Sequence, residues 1–255
     1  MGAQVNRKME PRQPFLSVIV PAYNEAERIG DTLTSIIAYL QAQTYTSELI
    51  VVDDGSRDAT AQIVQSKLKN SSMTNLIRYT PNRGKGYAVR RGVLASQGEY
   101  VLFTDADLST RVTETEPALQ YLQRGYDVVI GSRALVNSQM IVFQPAYRRL
   151  GAKIFNVLRD GIVGAGIRQF KDTQCGFKGF KGTVARQIFE QVTVDGFMFD
   201  VEVLYLALKL KYRVAEMPVR WADVPGSKLR LFRDTMRMFR DLAMIRLRHR
   251  GAGKG

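Results

Sequence analysis

The amino-acid sequence predicts an α/β fold with a doubly wound, mostly parallel sheet and a basic amphipathic helix at its C-terminal end. Two observations support this prediction. Apolar runs alternate with amphipathic segments up to residue 133, which is typical of strands and helices that follow one another in a parallel sheet. The apolar runs are continuous rather than alternating, as strands buried on both faces require.

Five strands alternate with four helices in this first part of the chain. We expect the first strand to extend from Phe15 to Val20 and to be stopped by Pro21. The other strands are predicted over residues 48–56, 75–80, 99–107 and 126–133. The helices are predicted near residues 25–41, 58–69, 84–96 and 114–123.

The pattern of the second part of the chain is less regular. It predicts a helix over 141–166, a turn and strand in 172–180, a helix over 197–210, a strand over 213–221 and a basic helix over 228–250. The expected organisation is a disordered basic N-terminus at 1–13, one domain at 14–227, and a C-terminal amphipathic helix with a flexible tail at 228–255.

The composition excludes several kinds of catalytic site. The single cysteine, Cys175, excludes an intramolecular disulfide and a cysteine-based zinc site. The single histidine, His249, excludes a histidine dyad and a metal site with several histidines. Any acid–base or metal chemistry must therefore come from Asp, Glu, Lys or Arg side chains.

The charge pattern points to a phosphate-rich or membrane partner. The formal net charge is +13, and basic residues concentrate in 228–250 beside an apolar stripe. Such helices lie in membrane interfaces, and residues 146–165 could form a second contact. The alternative is a helix packed on the domain with a solvated basic face. Because the chain shows no signal peptide and no run near the roughly 20 apolar residues of a spanning helix, we expect a cytoplasmic protein bound peripherally to the cytoplasmic face of a membrane.

Asp105 and Asp107 form the first candidate site, where the fourth predicted strand ends in "FTDADLST". Residues two apart at a strand end point the same way, and two neighbouring carboxylates repel one another unless a cation joins them. Mg²⁺ is commonly held by one or two carboxylates while substrate phosphates complete its shell. The pair therefore predicts a metal–diphosphate site. The alternative is a capping turn, because the same residues are good turn and cap formers.

Two further segments place polar groups at strand ends. Asp53 and Asp54 end the second strand, and we expect at least one of them to face a ligand, as acids after such strands do. The alternative role is capping of the next helix. Arg83 and Lys85 lie in a glycine-rich loop before the third helix, where they can meet phosphate. The spacing of a Walker A loop is absent.

The motifs together resemble family 2 inverting glycosyltransferases with the Rossmann-like GT-A fold. The resemblance rests on "SVIVPAYNE", "IVVDDGSRDAT", "NRGKGYAVRRG", "FTDADLST", "VIGSR", "DTQCGFKGF", "FDVEVLYLA" and "MPVRWADVPGSKLR", in that order. These segments are most similar to the dolichyl-phosphate glucosyltransferase branch, a relative of dolichyl-phosphate mannose synthase. The resemblance covers about residues 15–235. Eukaryotic members of the branch carry an N-terminal membrane anchor, which we do not expect in this chain.

The resemblance implies a role for each matching residue. The nucleoside of a nucleotide-sugar would be bound by Pro21, Tyr23, Glu25 and Asp53. Asp105 and Asp107 would hold Mg²⁺ or Mn²⁺ on the donor diphosphate, with the Ala106 backbone close by. The acceptor phosphate would be bound by Arg133, Arg220 and Lys228.

The acceptor decides whether the reaction needs a base. A phosphate monoester has a second pKa of about 6, so it is mostly dianionic at neutral pH and needs cations rather than a base. Asp200 and Glu202 lie where relatives with hydroxyl acceptors place a base. Their alternative role is to cap and solvate the helix that follows.

The expected function is metal-dependent, inverting transfer of a hexose to a polyprenyl or dolichyl phosphate. We expect glucose from UDP-glucose. Two alternatives within the same class are transfer from GDP-mannose and transfer to a hydroxyl acceptor with Asp200 or Glu202 as base. We expect no nucleic-acid partner, because no nucleic-acid-binding motif is present and the candidate phosphate-binding residues cluster at strand ends.

Overall fold

The computed structural model describes residues 13–69, 74–136, 138–140, 159–222 and 231–249. The strands are β1 Leu16–Ala22, β2 Ser47–Asp53, β3 Thr74–Arg78, β4 Tyr100–Thr104, β5 Val128–Ser132, β6 Gln139–Met140, β7 Phe177–Lys181, β8 Val214–Pro218 and β9 Arg220–Trp221. The α-helices are α1 Ile29–Gln41, α2 Thr60–Leu68, α3 Lys85–Ala95, α4 Thr115–Gln123, α5 Gly182–Gln191, α6 Phe199–Lys209 and α7 Leu231–Arg248. Short 3₁₀ helices span Val112–Glu114 and Ala165–Gln169, and residues 159–163 are helical.

The main sheet has seven strands in the order β3-β2-β1-β4-β7-β5-β8. All neighbouring pairs are parallel except those of β7, which runs antiparallel to both β4 and β5. The mostly parallel α/β sheet predicted from the sequence is therefore confirmed. The antiparallel β7 has a functional consequence, because its first residue, Phe177, pairs with Thr104 at the end of β4. The turn before β7 thus lies at the edge where the parallel strands end.

Helices cover both faces of the sheet and bury its central strands, whereas the edge strands β3 and β8 are only partly buried. One face packs against α3, α5, α6 and α7 around Phe103 and Phe180, which are both fully buried. The other face packs against α1, α2 and α4 around Val18 and Leu102. All seven residues of β1 are buried, which explains why its sequence is apolar apart from Ser17.

The expectation that Pro21 stops the first strand is wrong. β1 continues to Ala22, and Pro21 pairs in register with Val52 of β2. The Ala22 carbonyl accepts a hydrogen bond from Asp54 N on the β2 side, so the nitrogen of Pro21 points to the opposite side. Pairing with β4 has already ended there at Ile19, and the missing N–H therefore costs no ladder hydrogen bond.

Several predicted boundaries shift by a few residues. The helix expected from residue 25 begins at Ile29, and the helix expected from residue 114 begins at Thr115 after a 3₁₀ turn. Most of the helix expected over 141–166 lies outside the described residues, as do residues 1–12 and 250–255. Within the described ranges, every helix is either too short or too polar to cross the hydrocarbon core of a bilayer.

Candidate active site

The site lies at the edge of the sheet where β1, β2, β4 and β5 end. Asp53 is the last residue of β2, Asp105 follows β4, and Arg133 follows β5. The antiparallel β7 adds residues 172–176 to the same edge. Because ligands of doubly wound sheets bind at this edge, the fold brings the predicted residues to the expected place.

Asp105 and Asp107 lie in a tight turn rather than on the strand. β4 ends at Thr104, and the turn contains Leu108 with a positive φ of 48°. The Asp107 carboxylate accepts a hydrogen bond from Ser109 N at 2.9 Å, so the capping turn proposed as an alternative is present as well. Asp105 and Asp107 both remain partly exposed.

The position of Asp105 depends on the absence of a side chain at Gly176. Asp105 N donates to the Gly176 carbonyl at 3.1 Å. A Cβ at position 176 would lie 1.9 Å from Asp105 Oδ2, which no side chain can occupy without displacing the carboxylate. The "DTQCGFKGF" segment therefore shapes the acid turn directly.

Lys85 reaches the acid pair from the first residue of α3. Its Nζ lies 2.5 Å from Asp105 Oδ1. Burial lowers the pKa of Lys85, but the carboxylates of Asp105, Asp200 and Asp107 outweigh burial and raise it above its ordinary value. The lysine is therefore a positive charge beside the acid turn, and its binding of phosphate stays a prediction.

The donor set fits a divalent cation that is completed by a substrate. Asp105 and Asp107 supply hard carboxylate oxygens that are partly exposed to solvent. Among the residues that the structure describes, no group of three or more His, Cys, Asp or Glu side chains could hold a metal by itself. Such a two-carboxylate site suits Mg²⁺ or Mn²⁺ bound together with phosphate oxygens.

Asp54 has a structural role in the glycine-rich loop. Its carboxylate accepts hydrogen bonds from Arg83 N and Gly84 N, both at 2.8 Å, and from the Asn82 amide at 2.7 Å. Burial raises the pKa of Asp54, and the backbone donors of Arg83 and Gly84 partly offset that effect. Asp54 thus holds the loop that carries Lys85, a role the sequence pattern did not indicate.

Asp53 is fully buried at the end of β2. Its Oδ1 accepts a hydrogen bond from Ser56 N at 3.0 Å. Arg78 Nε lies 3.1 Å from Oδ2 without the angle of a hydrogen bond, so that oxygen keeps unused acceptor capacity among the described residues. Of the two acids, Asp53 is therefore the one with a carboxylate oxygen that lacks a hydrogen-bond partner among the described residues.

The loop after β1 also reaches the acid turn. Pro21 is buried within β1, and Tyr23 and Glu25 follow it with partial exposure. Glu25 forms an ion pair with Arg28, whose pKa is raised by that bond first and by Asp107 among other carboxylates. The positive charge of Arg28 therefore interacts with Asp107 of the acid turn as well as with Glu25. The sequence analysis did not identify it.

Arg133 is held in place by a buried acid. Its Nε and NH2 donate to the two oxygens of Asp172 at 2.6 and 2.9 Å, and its guanidinium carbon lies 5.5 Å from the Trp221 ring centre. Burial favours the neutral form of Asp172, but Arg133 outweighs it and lowers the pKa of that carboxyl. The NH1 group of Arg133 takes no part in this pairing.

Arg220 is oriented in a similar way on β9. Its Nε donates to Glu114 Oε1 at 2.6 Å, and its side chain is half exposed. The segment around Arg220 closes over the acid turn, because Ala222 N donates to the Ser109 carbonyl at 2.9 Å. Lys228, the third residue expected to bind the acceptor phosphate, lies outside the described residues.

Asp200 and Glu202 are placed differently, although both were candidates for a base. Asp200 is buried in the first turn of α6 and pairs with Lys178 Nζ at 2.5 Å. Burial raises the pKa of Asp200 above its ordinary value, and the charges of Lys178 and Lys85 offset only part of that effect. Glu202 is fully buried, and its bonds go to Thr193, Val194 and His249 rather than to the acid turn. The structure therefore brings only Asp200 to the site.

Lys178 is the residue of this cluster that the sequence analysis missed. It is fully buried on β7 and donates to both Asp200 and the Cys175 carbonyl, the latter at 2.7 Å. A lysine within an apolar strand, as in "GFKGF", was the available signal, since fully buried lysines are rare unless paired.

Comparison with known proteins identifies the family. The model of glycosyl transferase family 2 matches residues 17–189, well over half of the chain. Dolichyl-phosphate beta-glucosyltransferase of Drosophila melanogaster is 40% identical over 247 residues, covering 92% of this chain and 75% of that protein. The proteins of that name from Dictyostelium discoideum and Homo sapiens are 38% and 37% identical with the same coverage.

Solved structures with a similar fold are also glycosyltransferases. Glucosyl-3-phosphoglycerate synthase of Mycobacterium tuberculosis superposes with a TM-score of 0.66 at 18% identity, covering 92% of this chain and 80% of that one. The same synthase with Mn²⁺, uridine diphosphate and glucosyl-3-phosphoglycerate gives a TM-score of 0.62 at 19% identity and the same coverage. At such identities the likeness concerns the fold alone, and that fold is GT-A. The chain is therefore a glycosyltransferase that belongs to family 2.

Proposed function

We propose that the protein transfers glucose from UDP-glucose to dolichyl phosphate or another polyprenyl phosphate, with inversion at the anomeric carbon and with Mg²⁺ or Mn²⁺ bound. The shared name of the curated relatives supports the glucosyl group and the lipid-phosphate acceptor. The structural neighbour crystallised with Mn²⁺ and uridine diphosphate supports the metal and the nucleotide.

The observation that carries this proposal is the pairing of Asp200 with Lys178. Of the two candidate bases, Asp200 is the one that lies near the acid turn. Its Oδ1 is already paired with the buried Lys178 Nζ at 2.5 Å. Arg133 and Arg220 lie at the same edge with partly exposed guanidinium groups. This arrangement suits an acceptor that brings its own negative charge and needs no base.

The proposed step moves no proton. An oxygen of the acceptor phosphate, dianionic near neutral pH, forms a bond to the anomeric carbon. The bond from that carbon to the β-phosphate oxygen breaks on the opposite face, and its electron pair leaves with the nucleoside diphosphate. Arg133 and Arg220 would hold the acceptor phosphate and reduce its repulsion from the donor.

Asp105 and Asp107 would hold the divalent cation. When bound, it supplies positive charge to the diphosphate that leaves. Lys85, already fixed beside Asp105, would add a second positive charge on the donor side. Asp53 and the segment from Pro21 to Glu25 would bind the nucleoside. Arg83, in the glycine-rich loop that carries Lys85, has half of its side chain exposed.

We extend the proposal to the membrane, where such an acceptor resides. The apolar side chains of Ala243 and Leu247 in α7 are exposed, whereas Leu242 and Ile245 of the same helix face the core. Leu247 stands between two exposed arginines, Arg246 and Arg248. This surface of α7 suits peripheral binding to anionic lipid at a cytoplasmic face.

A transfer assay tests the proposal. The protein is incubated with Mn²⁺, dolichyl phosphate and either labelled UDP-glucose or labelled GDP-mannose, and label is then measured in the organic phase. We expect label from UDP-glucose, and none when EDTA is added. Label from GDP-mannose alone would show that the donor is GDP-mannose rather than UDP-glucose. Absence of transfer from both donors would contradict the proposed function.

A further inference from the structure

Glu202 is a fully buried carboxylate that the proposed reaction does not use. Its Oε2 accepts hydrogen bonds from Thr193 N at 3.0 Å and Val194 N at 2.8 Å. Its Oε1 accepts from Thr193 Oγ1 and from His249 Nε2, both at 2.7 Å. Four donors occupy the lone pairs of this carboxylate, which is therefore a structural junction rather than a base.

The first partner of Glu202, the segment 193–196, packs directly on the loop that carries Lys85. Tyr87 N donates to the Asp195 carbonyl at 3.2 Å. A Cβ at Gly84 would lie 2.4 Å from Asp195 O, and a Cβ at Gly86 would lie 2.4 Å from Val194 O. The two glycines that flank Lys85, Gly84 and Gly86, therefore both pack against the segment 193–196, which is hydrogen-bonded to Glu202.

The second partner of Glu202 is the end of the C-terminal helix. His249 follows α7, is buried, and lies 2.7 Å from the Glu202 carboxylate. Arg248 NH1 donates to Thr193 Oγ1 at 2.9 Å, and Asp241 Oδ2 lies 3.5 Å from where a Cβ of Gly196 would be. α7 therefore lies against both ends of the segment 193–196, at Thr193 and at Gly196.

We propose that Glu202 and His249 are positioning residues, which transmit the docking of α7 through the segment 193–196 to Lys85. Docking of α7 fixes His249 on Glu202, and Glu202 fixes Thr193 and Val194. These residues fix Gly84 and Gly86, and Lys85 is thereby held 2.5 Å from Asp105. The C-terminal helix would in this way regulate the donor side of the site. The regulatory part of this inference rests on the proposed function, whereas the coupling itself does not.

The test compares the full-length protein with three variants. His249→Ala removes the hydrogen bond to Glu202, and His249→Gln keeps an amide donor that can restore it. Glu190→Gln is the matched control, because Glu190 is an exposed side chain only three positions before Thr193. Each protein is examined by hydrogen–deuterium exchange over residues 82–88 and by calorimetric titration with uridine diphosphate and Mn²⁺.

We expect faster exchange over 82–88 in His249→Ala only, with a Kd for uridine diphosphate that is roughly three- to thirtyfold weaker. His249→Gln should recover most of both changes. A local structural role would change exchange in α7 alone, and unchanged exchange over 82–88 in His249→Ala would overturn the inference. If the wild-type protein fails to bind uridine diphosphate, the donor assignment fails, and the exchange comparison still decides the coupling.

Discussion

Lys85 Nζ lies 2.5 Å from Asp105 Oδ1, so an ammonium group occupies one side of the carboxylate expected to hold a divalent cation. The positive charge of Lys85 offsets part of the repulsion between the carboxylates of Asp105 and Asp107. Binding of a cation and a diphosphate would transfer Asp105 to the metal and leave Lys85 to the phosphate.

Asp107→Asn should abolish metal-dependent transfer while leaving the fold intact. Its carboxylate accepts only Ser109 N among the described contacts, and an asparagine oxygen can still accept that bond. We expect kcat to fall on the order of a hundredfold or more. Transfer assays give the loss, and thermal unfolding checks the fold.

Asp105→Asn should lose transfer to a similar degree, but it also removes the partner of Lys85. An Asp107→Asn variant that retains Mn²⁺-dependent transfer would contradict the assignment of the pair.

Gly176→Ala should reduce activity by moving Asp105. A Cβ at this position would lie 1.9 Å from Asp105 Oδ2, so the carboxylate must shift. Gly161→Ala is the control, since nothing lies within 4 Å of a Cβ there. We expect weaker Mn²⁺-dependent transfer for Gly176→Ala alone. Equal activity of the two variants would show that the acid turn tolerates displacement.

Lys178→Met should destabilise the protein by about 3–5 kcal/mol, because it leaves Asp200 buried without its partner. The double variant Lys178→Met, Asp200→Leu removes both charges and should recover most of that loss. Urea denaturation measures the free energy of unfolding of each variant. If the double variant is no more stable than the single one, the buried pair is not the source of the loss.

Asp172→Asn should lower stability in a way that depends on pH. Arg133 lowers the pKa of folded Asp172 below the value of about 3.9 in an unfolded chain. The stabilisation is then fully present above that unfolded value and is lost as pH falls through the lower folded pKa. The difference in unfolding free energy between wild type and Asp172→Asn should therefore be constant near neutral pH and shrink in acid. A difference that grows in acid would contradict the pairing.

The sequence predicted the parts of this site that depend on strand order. Asp53, Asp105 and Arg133 each follow a buried apolar strand, and parallel strands end at one edge. It could not predict that β7 runs antiparallel between β4 and β5, since that pairing joins segments far apart in the chain. The turn containing Gly176 was therefore not expected beside Asp105.

The sequence also left open which acid of a pair serves the site. Asp200 and Glu202 are two apart on α6, and residues at that spacing do not share a helix face. Only the packing of α6 against β7 decides that Asp200 meets Lys178 while Glu202 meets His249. Asp53 and Asp54 differ for a similar reason, because Asp54 turns back to hold the loop at Arg83.

The most direct test of the central claim compares two acceptors that differ only in the phosphate. Dolichyl phosphate and dolichol are each incubated with wild-type protein, Mn²⁺ and labelled UDP-glucose, and lipid-linked label is measured over time. Because Asp200 is paired with Lys178, and because Arg133 and Arg220 are proposed to bind the acceptor phosphate, we predict label on dolichyl phosphate and none on dolichol. Glucosylation of dolichol at a comparable rate would contradict the account, since a hydroxyl acceptor requires a base and the proposal commits Asp200 to Lys178 instead.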